Sequence, residues 1–197
     1  IGNLVEGDML VSNFNDKANV QGTGTTIMEV SPSGTVDTFA NIGSLLASQS
    51  CPGAIGLTTA LSILPGGWVV VGSLPTRAGG ALPSANPAGC LIVLDSNGVV
   101  AETLSNANIN GPWDMTAVAT PSGADLFVSN ALSRPKGLTK TPPSGLCTVV
   151  RISLSLTTGQ LPQLTDSTVV GSNFVWRANK TALIQSPTGV ALTSNGT

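Results

Sequence analysis

Short apolar segments separated by turns rich in Gly, Pro and Ser follow one another along the chain. Apolar and polar side chains alternate within several of these segments. In Thr25–Val30, for example, Ile27 and Glu29 fall on one side of an extended chain and Met28 on the other. A period of two residues is that of a β-strand, and short strands bounded by turn residues are typical of all-β proteins. The pattern therefore predicts an all-β chain.

The predicted strands group into a repeated unit of four, labelled a to d. A Pro-led strand a is followed by a Gly turn, a strand b that ends near Ser-Asn, a long Gly/Pro loop, strand c, another Gly turn and strand d. Copies of strand b are predicted at Gly7–Asn13, Gly66–Gly72 and Gly123–Asn130. A four-strand unit repeated at nearly fixed spacing predicts a β-propeller, in which each blade packs against its neighbours.

The other strands follow the same order. Strand a is predicted at Pro52–Leu57, Pro112–Val118 and Pro187–Leu192, strand c at Thr25–Val30, Cys90–Leu94 and Cys147–Leu154, and strand d at Thr35–Phe39, Val99–Leu104 and Asp166–Val170. The units span approximately residues 1–50, 51–110 and 111–185, and residues 186–197 would supply the first strand of a further blade. We therefore expect a partial ring of about three four-stranded blades, either part of a longer propeller or half of a six-bladed ring made by two chains.

Composition narrows the function classes. Hydrophobic residues make up 41% of the chain and charged residues 9%, with a net charge of −2. This is not a disordered composition, and it gives no global reason to expect nucleic acid as a partner. No apolar stretch approaches the ~20 residues of a membrane-spanning helix. Because Lys and Glu are scarce while Ser, Thr, Asn and Gly are abundant, we expect a secreted or periplasmic/cell-envelope protein.

Three cysteines, Cys51, Cys90 and Cys147, are too few for a disulfide-rich scaffold, and their spacing matches no zinc motif. Two interpretations stay open. Cys51 and Cys90 fall in the same unit and could form one disulfide, which leaves Cys147 as a thiol. Alternatively, all three are buried free thiols, since free cysteine is among the most buried residue types.

The long b–c loops concentrate the positive charge. These loops are predicted at Phe14–Gly24, Ser73–Gly89 and Ala131–Leu146, and in a propeller they emerge on the same face as the d–a connections. Asp16 and Asp114 are the only acids on this face. Most of the basic residues of the chain map to it: Lys17, Arg77, Arg134, Lys136, Lys140, Arg177 and Lys180. Such a face favours an anionic ligand. The alternative is that scarce charges simply collect on the most solvated loops.

The chain contains no His and no Tyr, which excludes Ser-His-Asp and Cys-His catalysis and His-ligated zinc. Carboxylate and amide oxygens remain, and these suit calcium. Asp114, Asn130 and Asn13 occupy strand positions that could line a central channel. The alternative is that Asp114 caps a strand entry and the two Asn close turns. Trp176, beside Arg177, is a candidate for stacking on a carbohydrate, whereas blade packing is expected for the other two tryptophans, Trp68 and Trp113.

Three short motifs resemble a known family. Gly111-Pro112-Trp113-Asp114-Met115, Asp125-Leu126-Phe127-Val128-Ser129-Asn130 and Pro187-Thr188-Gly189-Val190-Ala191 are similar to the Pro-x-Gly-Val-Ala and Leu-Tyr-Val-Ala-Asp motifs of NHL-type six-bladed propellers. That superfamily includes the gluconolactonase-like propellers, which hold a metal with acidic and Asn ligands around the axis. The chain departs from the family in its long b–c loops and in lacking Asn-Arg-Ile after strand b.

The sequence thus predicts a non-catalytic binding or interaction module without a cofactor. Its basic long-loop face would bind an anionic or polar-polymer ligand, such as a carbohydrate, through these residues: Arg77, Arg134, Lys136, Lys140, Arg177 and Trp176. One alternative is a calcium-assisted lactonase or hydrolase of gluconolactonase type that uses Asp114 and Asn130. Another is a structural assembly element that binds a protein partner or associates with itself through open strand edges.

Overall fold

A computed structural model of the protein describes residues 2–43, 51–52, 55–76, 89–131, 146–179 and 183–193. Three antiparallel sheets and one separate hairpin form the described chain. Sheet 1 contains β1 (Met9–Asn15), β2 (Gln21–Val30) and β3 (Val36–Asn41). Sheet 2 contains β4 (Leu57–Ile63), β5 (Val69–Leu74), β6 (Cys90–Leu94) and β7 (Val100–Leu104), with one turn of 3-10 helix at Pro65–Gly67.

Sheet 3 contains β8 (Pro112–Thr120), β9 (Gly123–Asn130), β10 (Leu146–Ser155) and β11 (Gln163–Val175). The hairpin pairs β12 (Arg177–Asn179) with β13 (Leu183–Gln185). In every sheet, strands that are consecutive in the chain are hydrogen-bonded neighbours, so each sheet is a simple meander. The all-β prediction is therefore confirmed.

Sheet 2 lies between the other two sheets and is buried on both faces. Val70, Leu91 and Val93 point into a hydrophobic core shared with sheet 3, where they meet Leu126 and Ile152. The alternate residues of β5 and β6 point into a second core shared with sheet 1, whose buried members include Val69, Val71, Ile92, Leu94, Ile27, Phe39 and Ile42. This two-residue alternation explains why every residue of β5 and β6 is buried.

Sheets 1 and 3 each have only one face in a core. In sheet 1, Leu10 and Ile27 point toward sheet 2, so Met9 and Val11 lie on the opposite face, where both are exposed. In sheet 3, Met115 and Ala117 point toward sheet 2. The alternate residues therefore lie on the far side of sheet 3. We call these two surfaces the outer face of sheet 1 and the outer face of sheet 3.

Gly72 of β5 marks a close approach between sheets 2 and 3. A Cβ atom at this position would lie 2.8 Å from the Cβ of Pro112 in β8 and 2.8 Å from that of Ala60 in β4. Any side chain here would push the first strand of sheet 3 away from sheet 2. Glycine within a strand often serves such a contact.

Cys51 and Cys90 form a disulfide with a Cα–Cα distance of 5.5 Å. The bond joins the segment that precedes β4 to the first residue of β6. Cys147 is buried and free, and its Sγ lies 3.2 Å from the Oγ of Ser186. The predicted Cys51–Cys90 pairing is confirmed, and the alternative of three free thiols is wrong.

The first b–c loop is shorter than predicted. A loop was expected at Phe14–Gly24, but β1 and β2 leave only residues 16–20 between them. The Oδ1 of Asp16 accepts the backbone N–H groups of Ala18 at 2.9 Å and Val20 at 3.0 Å, and these bonds, chiefly that of Val20, lower the pKa of Asp16. Because this aspartate closes a tight turn, the residues after it extend β2.

Strand a differs from the prediction in two units. A strand was expected at Pro52–Leu57, but β4 begins at Leu57 and runs to Ile63. Residues 187–193, which include the predicted strand at Pro187–Leu192, are not in a strand. The β12–β13 hairpin was not predicted, and β11 is much longer than the expected Asp166–Val170.

Glu102 of β7 places a carboxylate at the edge of the core between sheets 2 and 3. It lies opposite Val93, whose side chain points into that core. Its Oε1 is buried and has no hydrogen-bond partner among the described residues, and burial raises the pKa of Glu102. The folded protein therefore favours the protonated carboxyl more than the unfolded chain does.

The protonated carboxyl of Glu102 therefore contributes to the free energy of unfolding in acid. We predict that this contribution is lost as the pH rises above about 4.3, the ordinary pKa of glutamate, and passes through the raised pKa of Glu102. The variant Glu102→Gln should remove this loss and raise the free energy of unfolding at pH 7 by less than about 1 kcal/mol, since partial exposure screens the charge. Urea unfolding at pH 4 and pH 7 measures both effects. Glu6→Gln, at an exposed site, is the control, and an equal gain in both variants would contradict the prediction.

Candidate functional site

Side chains from all three sheets meet at one end of the strands. β5 and β9 end there, and β4 and β8 begin there, so the long b–c loops leave from this end, which we call the long-loop end. Leu57, Leu74 and Ala131 form a small buried cluster at this end. Against it pack three half-buried aromatic side chains, those of Phe14, Trp113 and Trp176.

Asn130, the last residue of β9, is fully buried beside this cluster. Its Oδ1 accepts the backbone N–H groups of Asn110 at 3.1 Å and Gly111 at 3.0 Å. Its Nδ2 donates to the carbonyl oxygen of Asn108 at 2.9 Å and to the Oγ1 of Thr148 at 3.2 Å. The side-chain amide of Asn130 therefore holds residues 108–111, which connect sheet 2 to sheet 3, and also bonds to β10.

This bonding bears on Asn130 as a metal ligand. An amide oxygen has two lone pairs, and both are directed to backbone N–H groups here. A cation at this oxygen would have to displace at least one of these bonds. The geometry thus matches the alternative interpretation, in which Asn130 closes a turn at the end of strand b.

Asp114 lies at a bulge in β8, next to the same strand end. Its backbone N–H donates to the Oγ of Ser129 at 3.2 Å. Its Oδ2 accepts the backbone N–H of Val190 at 2.8 Å. The carboxylate thus fastens residues 187–193 to the first strand of sheet 3, a role that matches the capping interpretation more closely than metal binding.

A buried serine recurs at the same place in sheets 2 and 3. Ser73 and Ser129 are the next-to-last residues of β5 and β9, and both are buried. The Oγ of Ser73 accepts the N–H of Gly56 at 3.1 Å, as the Oγ of Ser129 accepts the N–H of Asp114. Each serine therefore holds the entry of the neighbouring strand a. The repeated Ser near the end of strand b was visible in the sequence, but its partner was not.

Residues 183–193 lie beside sheet 3 and leave a groove against it. The segment is anchored by the Cys147–Ser186 contact and by the Asp114–Val190 bond. A cavity of about 390 Å³ is lined by residues 189–192 and by Thr116, Phe127 and Val149 of sheet 3. A second cavity, of about 350 Å³, lies at the opposite end of the sheets, where Trp68, Asp95 and residues 156–160 surround it. The sequence did not predict either cavity.

Most of the predicted basic ligands lie outside the described residues. These are Arg77, Arg134, Lys136 and Lys140. Lys180, a further basic residue of the predicted face, also lies outside the described residues. Arg177 is the first residue of β12 and follows Trp176 directly, so both are carried by the segment that leaves β11 at the long-loop end. Lys17 is exposed in the β1–β2 turn. Arg151, in contrast, is in sheet 3 and forms an ion pair with Asp166 at 3.3 Å.

Within the described ranges, no three His, Cys, Asp or Glu side chains come together as a possible metal site. Over the same residues, no helix has the length and hydropathy needed to cross a membrane. Comparison of the chain with protein-family models, with curated proteins and with solved structures gave no match. The resemblance to NHL-type and gluconolactonase-like propellers therefore stays a prediction that rests on the motifs alone.

The hydrogen bonds of Asn130 predict a large effect on stability. Asn130→Ala should lower the free energy of unfolding by about 3 kcal/mol, because it leaves the N–H groups of Asn110 and Gly111 and the carbonyl of Asn108 without partners. Urea denaturation measures this loss. The matched control is Asn13→Ala, at an exposed residue with one long hydrogen bond of 3.4 Å, for which we expect a change below about 0.5 kcal/mol. Similar losses in both variants would refute the structural role of Asn130.

Proposed function

We propose that the three sheets are successive blades of a β-propeller of NHL type. The support is their order and packing. Each sheet is an antiparallel meander, sheet 2 is sandwiched between sheets 1 and 3, and its first strand, β4, contacts both β1 and β8. Face-to-face packing of meanders in chain order is how propeller blades bury their surfaces.

We further propose that the protein is a non-catalytic binding module that uses its long-loop end. The observation that carries this proposal is the half-buried pair Trp113 and Trp176, held on the Leu57–Leu74–Ala131 cluster. The loops with Arg77, Arg134, Lys136 and Lys140 leave from the strands that end beside this cluster. Binding residues carried by loops on a rigid scaffold are a common arrangement.

The chemistry of these residues defines the ligand class. Indole faces stack on sugar rings, and an indole N–H adds a hydrogen-bond donor. Arginine and lysine bind carboxylate or sulfate groups, with arginine able to form two parallel hydrogen bonds. Since the whole chain carries a net charge of −2, attraction of an anion has to be local. An anionic polysaccharide combines both features, a sugar ring and a fixed negative charge.

The Cys51–Cys90 disulfide supports the secreted or periplasmic/cell-envelope location that we propose, because disulfides persist in oxidising compartments.

The calcium-assisted lactonase or hydrolase hypothesis keeps Asp114 as its ligand candidate, but no observation favours it over the binding module. The same is true of a purely structural assembly role.

Dextran sulfate and dextran form a matched pair of probes, since they share a backbone and differ in charge. At low salt we expect the chain to bind dextran sulfate in preference to dextran. Joint replacement of the loop charges by Arg134→Gln, Lys136→Gln and Lys140→Gln should weaken this binding about 10-fold, at ~0.5 kcal/mol for each charge. Trp176→Ala should weaken it as well. Isothermal titration calorimetry measures both effects.

The matched control is Arg151→Gln compared with Arg134→Gln, because Arg151 lies within β10 of sheet 3 and not in a long loop. We expect a loss of affinity for Arg134→Gln only. Equal affinity for dextran sulfate and dextran, or equal losses in the two arginine variants, would disprove the proposed binding face.

A further inference from the structure

Three turns from sheets 2 and 3 surround the cavity at the end opposite the long-loop end. The β4–β5 turn contributes Trp68, the β6–β7 turn contributes Asp95, and the β10–β11 connection contributes residues 156–160. Backbone hydrogen bonds of 2.8, 2.9 and 3.0 Å, one in each turn, close them. The walls of the cavity are therefore hydrogen-bonded turns.

Trp68 belongs to both the core and the cavity. It lies two residues before Val70, which points into the core shared with sheet 3, and part of the indole packs on that core. The side chain is only half-buried, and its remaining surface lines the cavity. No described residue accepts a hydrogen bond from its Nε1–H. The core thus holds an indole in place, with its polar N–H available to a ligand.

Gly66 leaves this indole uncovered. Its φ is +82°, and a Cβ atom at this position would lie 3.6 Å from the Cδ1 and 3.7 Å from the Nε1 of Trp68. A longer side chain here would lie against the edge of the ring that carries the N–H. Glycine keeps that edge open.

Asp95 places a carboxylate beside the indole. Trp68 precedes Val69, and Asp95 follows Leu94, the cross-strand partner of Val69. The Oδ1 of Asp95 accepts two backbone N–H groups of its own turn, both at 2.9 Å. Its Oδ2 accepts no hydrogen bond from a described residue. One carboxylate oxygen therefore closes the turn, and the other is available to a ligand.

The β10–β11 connection adds uncharged polar groups. Thr157, Thr158 and Gln160 are exposed, and their side chains form no hydrogen bond with another described residue. Among the residues that line the cavity, Asp95 is the only charged one. The cavity thus combines an aromatic surface with hydroxyl groups, an amide and a single carboxylate, and its lining includes no positive charge.

We propose that this cavity binds a sugar ring of an uncharged carbohydrate. The indole stacks on the C–H groups of a pyranose, while the carboxylate, amide and hydroxyl groups bond to the hydroxyl groups of the sugar. The volume of about 350 Å³ lies at the small end of the ~300–1,000 Å³ typical of ligand pockets, which suits a mono- or disaccharide unit.

The lining distinguishes this ligand from charged ones. An anion would face Asp95 with no arginine or lysine among the lining residues to bind it. A quaternary ammonium ion is recognised by several aromatic side chains, whereas the cavity has only Trp68 and offers an amide and hydroxyl groups that such an ion cannot use. The site shares no residue with the long-loop end, so the proposal goes beyond the function proposed above and does not depend on it.

NMR titration of the ¹⁵N-labelled chain with trisaccharides of glucose, mannose, galactose and N-acetylglucosamine tests the proposal. The three tryptophans give three indole N–H resonances, each assigned as the peak lost on replacement of that tryptophan by phenylalanine. We expect at least one trisaccharide to shift the Trp68 resonance, with a dissociation constant of about 1 mM or less. Asp95→Asn keeps Oδ1 for the turn but removes the carboxylate charge, and should weaken this binding at least about 5-fold.

Asp16→Asn is the matched control, because the Oδ1 of Asp16 also accepts the N–H groups two and four residues further on, yet Asp16 does not line the cavity. Gln160→Ala should likewise weaken binding, and Gln163→Ala, at an exposed residue outside the cavity, should not. Amide spectra establish that each variant is folded.

Three results would overturn the proposal. One is a Trp68 resonance that no trisaccharide shifts at about 10 mM, including the case in which only the other two indoles respond. Another is an equal loss of affinity in Asp95→Asn and Asp16→Asn. The third is a Trp68 resonance that tetramethylammonium shifts and the sugars do not, which would assign the cavity to a cation.

Discussion

The structure depends on the burial of sheet 2 on both faces. Successive residues of β5 and β6 alternate between two cores, so neither face of this sheet can be exposed without opening a core. At about 25 cal/mol for each Å² of apolar surface removed from water, these contacts outweigh any single hydrogen bond in the molecule. Sheets 1 and 3 are held in place by this requirement, and each in turn has a second face without a partner sheet among the described residues.

Buried and half-buried polar groups then fix how the sheets are joined. Asn130 satisfies the backbone between sheets 2 and 3, Ser73 and Ser129 hold the entries of β4 and β8, and Asp114 secures residues 187–193. Each partner is a backbone N–H that the strand ladders leave unpaired. Because such groups are costly to bury without a bond, these polar residues stabilise the strand ends at the long-loop end. Trp113 and Trp176 pack at this same end, on the cluster of Leu57, Leu74 and Ala131.

Two strands, β6 in the doubly buried sheet 2 and β9 in sheet 3, were the most predictable from sequence. β6 and β9 have the predicted bounds, because an apolar run between turn residues admits few other interpretations. Errors occurred where a side chain changed the backbone locally. Asp16 closes an early turn and lengthens β2, and the segment after Pro52 stays irregular until Leu57. The site was predictable only in part. Asp114 and Asn130 were recognised as residues at strand ends, but their partners, such as Val190, lie too far along the chain for any local pattern to reveal them.

The central claim is that sheet 2 is the doubly covered middle layer of a stack of sheets. Amide hydrogen exchange measured by mass spectrometry tests it most directly, since exchange reports the free energy of local opening for each segment. The account predicts that β5 and β6 exchange slowest, and that β11 at the edge of sheet 3 exchanges much faster. Exchange of β5 and β6 as fast as that of β11 would contradict it, because a sheet buried between two cores cannot open without the loss of both.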